Sequence, residues 1–208
     1  MKLLFIGNSF TSRSDLPRML AELASQCDRP LAVETRMIVA GGASLRRHWN
    51  AGAARAAIES NSWDYVVLQE QSTLPLKNVP RYHDNVRIFD PVIRASGAKI
   101  ALYLTWSRAN ALDKQDALTA AVESIAREIG ARVVPVGRAW HDALRRDASI
   151  QLYADDGSHP TPTGTYLAAC VFLITLLDRE PSGFAVSDRL KLSRETAVVL
   201  QEVASKLR

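Results

Sequence analysis

The stretch Leu3-Leu4-Phe5-Ile6-Gly7-Asn8-Ser9-Phe10-Thr11 decides how the rest of the chain is read. Four apolar residues in a row, with no polar alternation, fit a strand covered on both faces. Gly7 then opens a turn, where it is expected to take a backbone conformation other residues avoid. The next apolar residues, Leu16, Met19, Leu20, Leu23 and Cys27, recur at helical spacing, with Ser14 as the expected N-cap. A buried strand followed by an amphipathic helix is the unit of a parallel sheet.

The same alternation continues outward. Leu31–Val39 reads as a second strand, less uniformly apolar and so nearer an edge. Ser44 is placed to cap a helix through Trp49 to about Glu59. Tyr65–Leu68 is a third strand, Ile100–Leu104 a fourth and Val133–Val136 a fifth. Between them lie the helical stripes of Tyr82, Val86, Phe89 and Ile93, interrupted at Pro91, and of Ala117 to Ile129, ended by Gly130. Thr161 and Pro162 open a helix reaching Leu177, and Ser193 caps a last one. Five strands joined by helices predict right-handed crossovers and a five-stranded parallel sheet in an α/β chain of one domain, residues 1–208.

Composition agrees. The chain has 208 residues, 47% of them hydrophobic and 23% charged. It is too apolar for disorder and too long to need disulfide staples. The net charge of +4 is a small excess spread along the chain, so a nucleic-acid surface is not expected. Cys27 and Cys170 have no partners at metal-ligand spacing and read as buried free thiols. The apolar run before Gly7 is too short for a signal peptide, and Tyr166–Leu177 is too short to span a bilayer. The expectation is a cytoplasmic protein without a membrane span, its oligomeric state undetermined.

In a parallel sheet, ligands bind beyond the carboxyl ends of the strands. Four segments lie there. Ser9 follows the first strand, where its hydroxyl and N–H can face a cleft. Gly41 and Gly42 follow the second, and paired glycines let backbone donors approach a ligand. Gln69, Glu70, Gln71 and Ser72 follow the third. The last segment is Asp156-Gly157-Ser158-His159-Pro160. An acid three residues before a histidine can reach its Nδ1, fix the tautomer and leave Nε2 as a base. Trp106 and Arg108, after the fourth strand, are candidates to stack on a sugar or wall an acyl pocket and to meet an anionic group. Trp63 precedes a strand and belongs to the core at the opposite edge. His48, His83 and His141 are read as surface or structural, and Asp155 is one residue further from His159 than Asp156.

Together these segments resemble the SGNH (GDSL-type) hydrolases. That family carries Gly-Asp-Ser, a Gly after the second strand, Gly-x-Asn-Asp after the third, and Asp-x-x-His. Ser9, Gly42, Asp156 and His159 match in order, over residues 7 to 160. The resemblance implies a flavodoxin-like three-layer α/β/α sandwich and a serine esterase acting on O-acyl esters, with O-acetyl carbohydrates as first candidates. It implies Ser9, His159 and Asp156 as catalytic residues and a small-molecule acyl ester as partner. It implies no cofactor and no metal. The N–H groups of Ser9 and Gly42 would form the oxyanion hole with a glutamine amide. By register that amide is Gln71, with Gln69 as the alternative. Its side chain is about 1.5 Å longer than the family's Asn. Asn8 stands where the family has Asp, with little effect expected, and is a candidate substrate contact. Two other readings share the fold: a non-catalytic binding protein, which the altered third block would favour, and an O-acyltransferase using the same three residues.

Overall fold

The computed structural model describes residues 1–183 and 185–207. In chain order its elements are β1 (Lys2–Gly7), α1 (Ser9–Ser12), α2 (Leu16–Gln26), β2 (Glu34–Val39), α3 (Leu45–Ala51), α4 (Ala53–Glu59) and β3 (Tyr65–Leu68). There follow α5 (Leu74–Lys77), α6 (Val79–Arg87), α7 (Asp90–Ala95), β4 (Lys99–Tyr103), α8 (Gln115–Ile129), β5 (Arg132–Val134) and α9 (Val136–Arg146). The last three are α10 (Pro162–Leu177), α11 (Ala185–Arg189) and α12 (Arg194–Ser205).

The five strands pair in parallel in the order β2-β1-β3-β4-β5. This is the flavodoxin-like order, whose switch point lies between β1 and β3. The strand pleat then builds three layers. Leu3 and Phe5 of β1 point to one face, where they join Leu20 of α2, Trp140 of α9, Phe172 of α10 and Leu200 of α12. Leu4 and Ile6 point to the other, with Leu45 of α3, Ile58 of α4, Val86 of α6, Ile93 of α7 and Ile125 of α8. β2 is one of the two edge strands and stays half-exposed, as its mixed sequence implies. α10 is buried almost all round, which its unbroken apolar sequence requires. Trp63 lies in the core and donates its indole N–H to the Ala57 carbonyl at 2.9 Å.

Several boundaries differ from the sequence expectation. The cap of α2 is Asp15, whose carboxylate accepts from the Arg18 N–H, while Ser14 sits in the preceding turn at φ 61°. One helix from Ser44 to Glu59 is in fact two, divided at Gly52 (φ 78°). The stripe through Ile93 is broken, as Pro91 led one to expect, but the break falls at Ile88 and Phe89, between α6 and α7, and Pro91 sits in the first turn of α7. Among the described residues no helix is long and apolar enough to cross a membrane. Cys27 and Cys170 are free and buried, and burial pushes the Cys170 thiol up to about 12.

Candidate active site

β1 delivers Ser9 to the carboxyl edge of the sheet in the first turn of α1. Asn8 caps that turn, its Oδ1 accepting from the Phe10 N–H at 3.1 Å and its Nδ2 donating to the Ala43 carbonyl at 3.0 Å. The Asn8 N–H donates to Gln69 Oε1 at 2.8 Å, and Thr11 Oγ1 donates to the same oxygen at 3.2 Å. These contacts explain Gly7 differently from the expectation. It is absent from the residues with positive φ; what it provides is space, because a Cβ there would stand 2.6 Å from Gln69 Oε1 and 2.7 Å from Thr11 Oγ1. His48 completes the turn from α3. Its Nε2 lies 2.7 Å from the Gly7 carbonyl, which can only accept, so Nε2 carries the proton. Burial lowers the pKa of this imidazole, which favours the neutral form.

His159 comes from the loop between α9 and α10. Asp156 Oδ1 accepts the N–H groups of Ser158 at 3.0 Å and of His159 at 2.9 Å, and Asp156 Oδ2 lies 2.5 Å from His159 Nδ1. The His159 ring bond first, and then these two N–H groups, hold the Asp156 carboxyl well below the usual carboxylate range. An ionised carboxylate accepts, so Nδ1 bears the proton. In the neutral ring Nε2 is then free to accept from Ser9 Oγ, 2.8 Å away. Asp155 makes no such contact.

A cavity of about 200 Å³ opens at this point, lined by Ser9, Gly42, Gln71, Arg108 and His159 among others. Gly42 takes φ 63°, a conformation suited to glycine, at the end of β2. Ser9 is the first residue of its helical turn, so its N–H has no intrahelical acceptor. Gln71 Oε1 accepts from the N–H and the hydroxyl of Thr73, both at 3.0 Å, which leaves its NH₂ end as the available donor. A larger groove of about 640 Å³ runs beside α8 and α9 and includes Glu123, Arg138 and His141; it holds none of the strand-exit candidates.

Three candidates have other duties. Gln69 is fully buried; its oxygen serves Asn8 and Thr11, and its NH₂ donates to the Glu70 carbonyl, so it is no alternative oxyanion donor. Asn8 borders the cavity, but its polar atoms are committed to Phe10, Ala43 and Gln69. The amide suits that place, since an ionised Asp could not donate to the Ala43 carbonyl. Trp106 is 2% exposed, stacked on Trp140 at 3.7 Å and on Phe10 at 5.0 Å. Both ring faces are covered, so no sugar can stack on it. Its indole N–H instead donates to the Ser158 carbonyl at 2.9 Å and fastens the His159 loop.

Glu70, one of the polar residues expected beyond the third strand, has a part that its place in the sequence does not specify. It is 6% exposed, and burial pushes its carboxyl above the ordinary value against the pull of hydrogen bonds from Asn85, Gln71 and Leu45 and of the Arg81 charge. The available signal was position: a carboxylate immediately beyond a buried strand.

No family model and no curated protein matches the chain. Solved structures do. A protein from Slackia heliotrinireducens, assigned as a candidate SGNH hydrolase, is 31% identical with a TM-score of 0.72, over 85% of this chain and 98% of that one. A DUF4886 family protein from Bacteroides uniformis is 22% identical with a TM-score of 0.72, over 98% and 93%. Axe2, an acetylxylan esterase from Geobacillus stearothermophilus, is 19% identical with a TM-score of 0.64, over 83% and 92%. The last two share the fold. The first, with the sheet order, gives the class as an α/β fold of the SGNH hydrolase type. The chain belongs to the SGNH hydrolase family.

Proposed function

We propose that this protein is a serine esterase that hydrolyses small O-acyl esters, acetyl foremost, on carbohydrate or similar alcohols. The observation that carries the reading is the continuous chain from Ser9 Oγ to His159 Nε2 at 2.8 Å and from His159 Nδ1 to Asp156 Oδ2 at 2.5 Å. His159 takes the Ser9 proton as the oxygen attacks the ester carbonyl, and Asp156 stabilises the imidazolium. The carbonyl oxygen gains the negative charge, which the N–H groups of Ser9 and Gly42 and the Gln71 NH₂ receive. The tetrahedral intermediate collapses, His159 protonates the departing alcohol, and Ser9 holds the acyl group. Water, deprotonated by His159, then releases the acid and restores the serine. A cavity of about 200 Å³ favours a short acyl chain. Arg108 on its rim would receive an anionic substituent. The acetylxylan esterase on the same fold supports acetyl as the first acyl group to test.

The test pairs a fluorophosphonate probe with turnover of p-nitrophenyl acetate. Wild type should label at Ser9 and turn over. Ser9→Ala and His159→Ala should each lose about 10⁶-fold in kcat, with no labelling of Ser9→Ala. Absence of labelling together with equal rates in wild type and both variants would overturn the esterase reading.

A further inference from the structure

We infer that Glu70 is a positioning residue that sets the distance between the two loops carrying the oxyanion donors; this rests on the esterase reading above. A single atom does the bridging. Glu70 Oε1 accepts the Leu45 N–H at 3.1 Å and the Gln71 N–H at 2.7 Å. Leu45 follows the Gly42 turn at the exit of β2, and Gln71 belongs to the exit of β3. These strands are not neighbours, because β1 runs between them. No ladder hydrogen bond therefore fixes one exit against the other, and the carboxylate makes that link across the end of β1.

The other oxygen is clamped as well. Glu70 Oε2 accepts from Asn85 Nδ2 at 2.8 Å, and Asn85 Oδ1 accepts from Arg46 Nε at 3.2 Å. Asn85 is fully buried on α6, and Arg46 lies on α3 next to Leu45, so the network closes a ring between these two helices on one face of the sheet. All three partners of Glu70 are donors, which only the ionised carboxylate can satisfy without an unpaired O–H. An acceptor this buried is costly unless it is used. Its place is legible: the Gly42 N–H and the Gln71 NH₂ must converge on one oxygen of the transition state within tenths of an ångström.

Two variants test this in the intact chain. Glu70→Gln retains the shape and replaces one acceptor by a donor. Glu70→Asp retains the charge and draws it back by about 1.5 Å, so it cannot span both loops. The fluorophosphonate titrates active sites, so that kcat is expressed per competent molecule. Both variants should lose about 10²-fold in kcat with KM changed by about threefold or less. Gln71→Ala should cost about 10²–10³-fold in wild type and far less in either Glu70 background, since the two residues act as a unit. If Glu70→Gln does not fold, Glu70→Asp decides alone. An active wild type with unchanged kcat in the folded variants, or a Gln71→Ala cost that is the same in every background, overturns the role of Glu70 and leaves the esterase reading standing. An inert wild type removes both.

Discussion

The turn that carries Ser9 is held by side chains from distant parts of the sequence, whereas the loop that carries His159 is held largely by itself. Asn8 is bound by Gln69, 61 residues away, and by Ala43, 35 away; Gly7 is bound by His48, 41 away. Asn8 and Gln69 are 2% and 0% exposed. In the loop, the Asp156 carboxylate takes the N–H groups two and three residues on and the ring of His159, and its side chain is 47% exposed. The long-range backbone help it receives comes from one segment, the Trp106 indole at the Ser158 carbonyl and the Ala109 N–H at the Gly157 carbonyl. The nucleophile is thus built into the sheet, and the base is presented to it on a preformed loop. Substitutions in the turn should cost stability and activity together; substitutions in the loop should separate the two.

Among substitutions that leave Ser9 and His159 in place, the largest effect should come from Asp156→Asn. The amide can donate to His159 Nδ1 and favour the wrong tautomer, so kcat should fall by about 10⁴-fold. The thermal midpoint should barely move, because the side chain is half exposed. The sign of its pH dependence follows from the lowered carboxyl. Any stability it contributes is present above the usual carboxylate range and is lost only as pH falls through the lowered value. Comparing melting curves of wild type and variant at neutral and strongly acid pH should show a small difference that closes in acid. A large destabilisation at neutral pH would mean that the loop depends on this carboxylate to fold, and the contrast with the turn would fail.

This contrast also explains what was legible in the sequence. The strands read well because burial on both faces leaves unbroken apolar runs such as Leu3–Ile6 and Tyr65–Leu68. The Asp156–His159 relationship read well because its partners are three residues apart. The roles of Gln69, Asn8 and Trp106 did not, because each is set by groups that meet in space alone. Nothing near Trp106 in the chain announces that Trp140 and Phe10 will cover its two faces. Likewise the break at Gly52, and the placing of the second break at Ile88 and Phe89 and not at Pro91 itself, depend on how short helices pack on the sheet, which a helical stripe of apolar residues does not record.

A second prediction concerns the turn. Asn8→Asp restores the residue that gives the Gly-Asp-Ser block its name. On sequence grounds it should be harmless. In this structure it faces the Ala43 carbonyl with an acceptor instead of a donor, in a buried place. The expected cost is about 1–3 kcal/mol of unfolding free energy, read by urea denaturation at neutral pH. Activity should fall with it, because the Ala43 carbonyl belongs to the loop that carries Gly42. Unchanged stability would show that the turn tolerates loss of a long-range contact, and the distinction between the two regions would narrow to one of burial.

The smallest effect should come from the one charged contact between the two regions. Arg13 follows α1, and its N–H closes the turn on the Ser9 carbonyl at 2.9 Å. Its guanidinium lies 3.9 Å from Asp156 Oδ2, with the two side chains 48% and 47% exposed. At that distance and exposure an ion pair contributes about 0–1 kcal/mol. Asp156 already has its stronger partners in His159 and in the two N–H groups of its own loop. Arg13→Ala should therefore lower kcat/KM by a factor of about fivefold or less. That difference should shrink toward nothing near 1 M salt, where screening acts over about 3 Å. The measurement is kcat/KM for p-nitrophenyl acetate across a salt series, with wild type run in parallel. A larger loss that persists at high salt would mean that the guanidinium orients the loop through packing and not through charge. The His159 loop would then be no more self-sufficient than the turn it faces.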